Sequence, residues 1–95
     1  MRKVSRILFE MTGGYAHWCP GCECMHGIPV TAGRVLWDFN GNFEKPTFNP
    51  SIKINWKWAG VDKVCHYFIR DGQIQFCSDS THALKGQTVD LPDVD

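Results

Sequence analysis

Hydrophobic and polar residues alternate along most of this chain, and turn signals break the alternation about every ten residues. The cleanest run places Ile52, Ile54, Trp56 and Trp58 on one face and Lys53, Asn55 and Lys57 on the other. That period predicts a strand with its tryptophan stripe in the core and its lysines in solvent. Residues 64–70 and 73–78 flank Asp71-Gly72, a two-residue hairpin signal. Counting outward from that turn sets Ile69 against Ile74, Tyr67 against Phe76 and Cys65 against Ser78 on one face. His66 and Cys77 pair on the other face, beside Phe68 and Gln75.

Earlier in the chain, residues 2–11 read as a first strand stopped by Gly13-Gly14. Residues 15–18 and 25–30 lead into and out of a turn over residues 19–24. Residues 35–39 form a short strand ended by Asn40-Gly41, a second hairpin signal, and residues 46–50 an extended proline-bounded connector. The tail carries one helical turn over residues 80–85 and an extended stretch over residues 88–91. The whole predicts one all-β domain over residues 1–95, built of antiparallel hairpins.

Composition narrows this picture. Ninety-five residues with 43% hydrophobic content, four Trp and six Phe can build a core, but a small one that benefits from a metal or covalent staple. Ten basic and ten acidic residues cancel, so no global field draws the chain to nucleic acid. Nothing reads as a signal peptide or a membrane span. Five cysteines, an odd number, favour metal ligation plus spare thiols over a disulfide framework, and with it a reducing cytoplasm.

The string His17-Trp18-Cys19-Pro20-Gly21-Cys22 carries the chemistry. Two thiols across Pro-Gly aim into one concavity, as in a zinc-ribbon-like knuckle, and supply two of four tetrahedral ligands. A redox reading of Cys-x-x-Cys is the less favoured alternative, because that motif usually opens a helix after a strand, whereas Pro20-Gly21 here opens a turn. Of the remaining candidates, His82 ranks first and Cys65 second; His66, then His26 and Cys77, stand as substitutes. The predicted zinc set is therefore Cys19, Cys22, Cys65 and His82. Cys65 and His66 are neighbours in a strand, so their side chains leave on opposite faces and one site rarely uses both. Cys24 reads as a spare thiol, His17 as solvent-facing and Asp79 as a cap on the turn that follows it.

Taken together, the segments HWCPGC, FNGNFEKPTFNPSI, CHYFIRDGQIQF and DSTHALKGQTVDLPD resemble a family of small proteins of unknown function from bacteria, bacteriophages and prophages. Some members bear an "ammonia monooxygenase" label, which carries no weight for a chain with one thiolate-rich site. The resemblance covers residues 17–93 and implies a cytoplasmic, phage- or prophage-borne zinc protein. In that family the pattern at Cys19, Cys22, His26, Cys65, His66, Asp79 and His82 recurs, whereas Cys24 and Cys77 are additions of this sequence. Ser80 stands where relatives often carry Cys, so that position offers no thiolate here.

Two functions compete on these residues. A closed two-thiolate zinc site in a small phage-type chain points to a binding module that occupies a host protein, with nucleic acid a less favoured partner through Arg2, Lys3, Arg6 and the Lys53/Trp56/Lys57 strand. The alternative is a zinc-dependent hydrolase. It would use the surplus of His26, His66, Asp79 and His82, with His26, His66 and Asp79 as its catalytic groups.

Overall fold

The computed structural model describes residues 1–94, and nine strands make up their regular structure. Strands β1 (Arg2–Lys3), β2 (Phe9–Met11), β3 (Gly14–Cys19) and β4 (Cys24–Pro29) form one antiparallel sheet in chain order. Strands β5 (Asp38–Phe39), β6 (Phe48–Trp58), β7 (Val61–Arg70), β8 (Gln73–Phe76) and β9 (Thr88–Asp90) form the second, also antiparallel and in chain order. The fold is all-β, as the alternation predicts. Among the described residues no helix is long and apolar enough to cross a membrane.

Two tight turns set the register of the second sheet. Asp71 and Gly72 both have positive φ, 53° and 77°, which is what a two-residue hairpin needs to match the strand twist. Ile69 therefore faces Ile74, and Tyr67 faces Phe76, as counted from the sequence. A second such turn lies at Ala59-Gly60, with φ of 52° and 79°, and goes unread in the sequence. It joins β6 and β7 into one long hairpin that runs from Trp58–Val61 to Ile52–Tyr67 in unbroken register. Beyond Ile52 the register jumps to Phe48–Ile69, so Asn49, Pro50 and Ser51 face the single residue Phe68. This bulge contains a cis Asn49–Pro50 peptide bond.

The core lies between the sheets. Leu8, just before β2, and Ile28 of β4 meet Phe48, Tyr67, Ile69, Ile74 and Phe76 from the second sheet. Several expectations are corrected here. The first strand is interrupted because the Ser5 hydroxyl accepts the amides of Ile7 and Leu8, turning both residues into the core. Asn40-Gly41 is not a two-residue hairpin, since β5 pairs with β6 at Asp38–Asn49 and Phe39–Phe48 across a longer loop. That loop is held by the Asn42 side chain, which accepts from the amides of Glu44 and Lys45. Residues 48–50 belong to β6 rather than to a connector.

The tryptophan stripe is not core. Trp56 is 39% and Trp58 70% exposed, toward the tip of the β6–β7 hairpin. His17 is fully buried rather than solvent-facing. Its Nδ1–H donates to the Trp18 carbonyl, which leaves Nε2 to accept the Tyr67 hydroxyl at 2.7 Å. Burial lowers its pKa to about 4 and keeps the ring neutral. Cys65 does not face Ser78, because the chain turns away after Cys77. Residues 80–85 form turns and no helix.

Candidate active site and metal centre

The turn after Cys77 is what builds both sites. Ser80 and Thr81 lie against β7 and take the place of a neighbouring strand. The His66 amide donates to the Ser80 hydroxyl, which in turn donates to the His66 carbonyl, both at 3.0 Å. Thr81 does the same one step along: its amide donates to the Val64 carbonyl, and its hydroxyl accepts the Val64 amide at 2.9 Å. The segment is thereby locked in register beside β7, with Asp79 at one end and His82 at the other.

Strand parity then divides the chemistry. Cys65 points into the interior, where its Sγ lies 3.8 Å from Cys19 Sγ and 3.6 Å from His82 Nε2. The ligand atoms of Cys19, Cys22, Cys65 and His82 all lie within 4.8 Å of one another, and the cluster can hold a metal ion. Cys19 and Cys22 arrive from the β3–β4 tip, where the Cys22 amide donates to Cys19 Sγ at 3.4 Å. Gly21 lies under the His82 ring so closely that a Cβ there would meet all of its nitrogens within 2.5 Å. Phe76 backs the ring edge-on at 4.4 Å.

The thiols perturb one another strongly. A hydrogen bond from Cys65 holds the Cys19 thiol well below its ordinary range, and the same contact pushes Cys65 up. Burial, then the charge on Cys19, pushes Cys22 up to about 11. Three thiols this close cannot all ionise without a cation among them.

On the opposite face of β7, His66 stands between two partners. Its Nδ1–H donates to the Asp79 carboxylate, at 3.0 and 3.1 Å from the two oxygens. Nε2 is thus the unprotonated nitrogen, and it accepts the Ser51 hydroxyl at 3.1 Å. Ser51 reaches His66 from the bulge of β6. Lys53, directly across from His66, places Nζ 3.5 Å from the Asp79 carboxylate. Slight burial raises the Asp79 carboxyl, but the His66 hydrogen bond, His66 and Lys53 outweigh it and hold the group below its ordinary value. Asp79 therefore orients a histidine instead of capping a turn.

The remaining candidates fall elsewhere. His26 sits on the first sheet, across from His17 and stacked on Tyr67 at 5.9 Å; it joins neither His66 nor Asp79. Its buried Nε2 has no partner. Cys77 pairs with His66 through its amide, and its thiol belongs to a cluster with His66 and Asp79. Cys24 is exposed. Ser51 escaped the sequence analysis. Its signal was the unread Ala59-Gly60 turn: counting from it sets Lys53 across from His66, with Ser51 one step along the same face.

The family model of a bacterial ubiquitination-like system serine protease (BubE) matches residues 3–77, and this chain belongs to that family. No curated protein and no solved structure matches the chain. The family corrects the functional expectation. A small bacterial family described as a serine protease is neither a non-enzymatic module docked on a host macromolecule nor a zinc-dependent hydrolase.

Proposed function

We propose that this member of the family is a serine peptidase whose triad is Ser51, His66 and Asp79. Its substrate would be a protein of the bacterial ubiquitination-like system for which the family is described. The observation that carries this reading is the bridging imidazole, with Asp79 on Nδ1 and the Ser51 hydroxyl on Nε2. A Ser–His–Asp constellation is recognised by such geometry and roles, not by position or order in the chain.

The chemistry follows from the hydrogen bonds. Ser51 Oγ attacks the scissile carbonyl while His66 Nε2 takes the hydroxyl proton. Asp79 holds the ring in the tautomer that leaves Nε2 basic and stabilises the imidazolium that forms. His66 then returns the proton to the leaving amine, giving an ester on Ser51. Water, deprotonated by the same nitrogen, hydrolyses that ester and restores the serine. His66 is partly exposed, its side chain at 24%, which leaves room for a chain to approach.

The second part of the reading is that Cys19, Cys22, Cys65 and His82 hold zinc. Tetrahedral zinc with bonds of about 2.3 Å to sulfur and 2.0–2.1 Å to nitrogen sets S···S near about 3.8 Å and S···N near about 3.6 Å. Those are the Cys19–Cys65 and Cys65–His82 separations. Held by these four residues, a metal would supply folding energy and tie the β3–β4 tip to the segment that carries Asp79. Unpaired thiols fit a reducing cytoplasm.

The test is covalent. Diisopropyl fluorophosphate should label the folded chain once, on Ser51, as read by peptide mass spectrometry, and His66→Ala should suppress the adduct. An unlabelled chain, or an adduct on another serine at undiminished rate in His66→Ala, overturns the reading.

A further inference from the structure

The edge of β6 next to the nucleophile is open. Among the described residues β5 covers β6 only at Phe48 and Asn49, and nothing pairs with that side of β6 from Ile52 to Trp58. Which backbone groups face outward there follows from β7. His66 spends its amide and carbonyl on Ser80 and Cys77, and Val64 spends both on Thr81. Both residues thus turn away from β6, so Lys53–His66 and Asn55–Val64 are non-hydrogen-bonded pairs, and Lys57–Asp62 follows by alternation. The amides and carbonyls of Lys53, Asn55 and Lys57 consequently point out of the sheet edge.

This row shares its parity with Ser51. The side chains of Ser51, Lys53, Asn55 and Lys57 rise on the face that carries His66, while their main-chain groups face the open edge. The row has a defined end, because the Trp37 indole N–H donates to the Ser51 carbonyl at 3.2 Å and occupies that acceptor. The open edge therefore starts at the nucleophile and runs one way, toward Lys57.

We propose that this edge is the substrate site: an extended peptide adds to β6 as a further strand, held by the main chain of Lys53, Asn55 and Lys57, with its scissile carbonyl over Ser51. The proposal rests on the serine-peptidase reading and names the substrate conformation that reading requires. A strand-adding peptide is recognised through its backbone, so it must be an unfolded tail or linker rather than a folded surface. Pairing lies on one side of the scissile bond only, because Trp37 closes the other. Lys53 and Lys57 meanwhile guard the edge against indiscriminate pairing.

A quenched-fluorescence library of ten-residue peptides, screened with the full chain, gives the best-cleaved sequence, which is then remade with one N-methyl group at a time. N-methylation at alternate residues on one side of the scissile bond should lower kcat/KM about tenfold, and at the residues between them about twofold or less. Asn55→Pro should also lower kcat/KM about tenfold, since it removes an outward N–H that no ladder bond uses. Uniform tolerance of N-methylation, or loss on both sides of the scissile bond, overturns the proposal; so does full activity in Asn55→Pro. If Ser51 takes the diisopropyl fluorophosphate label but no library peptide is cleaved, the edge proposal fails alone. If Ser51 takes no label and nothing is cleaved, the peptidase reading fails and the edge proposal with it.

Discussion

The two faces of β7 divide the work of this molecule. On one, Cys65, Tyr67 and Ile69 are all fully buried, among the core and the cluster that can hold a metal ion. On the other, His66 stands partly exposed beside Ser51 and Asp79. Adjacent residues thus point to opposite sites, and the segment after β8 repeats the division with Asp79 on the proposed triad and His82 on the cluster. On the proposed reading, the surplus of histidine and carboxylate in the sequence marks two sites interleaved on shared backbone. Fixing one therefore fixes the other, because a rigid strand transmits register from Cys65 to His66 with no adjustable joint between them.

The sharpest way to break this comparison is to substitute each neighbour separately. His66→Ala should lower hydrolysis about ten-thousandfold, since a triad without its base retains little beyond binding. Its melting temperature should fall by only a few degrees, because the backbone bonds to Ser80 and Cys77 do not involve the ring. Cys65→Ser should do the reverse in mechanism: metal content falls, and the melting temperature falls by about ten degrees or more as a ligand of the folding metal is lost. Native mass spectrometry and calorimetry read both. Metal loss in His66→Ala, or a stable, metal-loaded Cys65→Ser, would merge the two faces.

Gly21→Ala sharpens the same contrast with a smaller change. A Cβ at position 21 would come within 2.5 Å of the His82 ring. If that ring is fixed by metal it cannot swing aside, and the substitution should cost about 1–3 kcal/mol. Once a chelator frees the ring, the cost should shrink. Measured melting shifts that are equal with and without chelator would remove His82 from the metal.

Much of this was legible in the sequence. The Asp71-Gly72 turn fixes the β7–β8 register, and the Cys-Pro-Gly-Cys knuckle marks the β3–β4 tip. Cys65 and His66 separate by strand parity alone. What could not be read depends on contacts far apart in the chain. Ala59-Gly60 lacks the Asn or Asp that usually announces such a turn, so the strand carrying Ser51 could not be laid against His66. The bulge at residues 49–51 adds a register shift that alternation does not encode. Trp56 and Trp58 keep a core-like period although they lie toward the exposed tip of the β6–β7 hairpin. The partner that satisfies the buried His17 Nε2 is the hydroxyl of Tyr67, fifty residues on.

The smallest expected effect comes from Lys53, whose ammonium faces the Asp79 carboxylate on the acting side of the strand pair. Both side chains are about half exposed, at 49% and 47%, so solvent screens the pair and its worth is small. Its sign is still informative. The cation helps hold Asp79 below its ordinary value of 3.8, so this pairing stabilises the fold above about pH 4 and fades as pH falls further. The same cation opposes the positive charge that must develop on His66 during catalysis. Lys53→Met should therefore leave the neutral-pH melting temperature almost unchanged, soften acid unfolding slightly, and raise the rate of Ser51 acylation by less than about fivefold. Stopped-flow acylation with a chromogenic ester reads the rate. A tenfold fall instead would mean that Lys53 positions Asp79, and that the orienting group of the triad is a carboxylate–ammonium pair rather than the carboxylate alone.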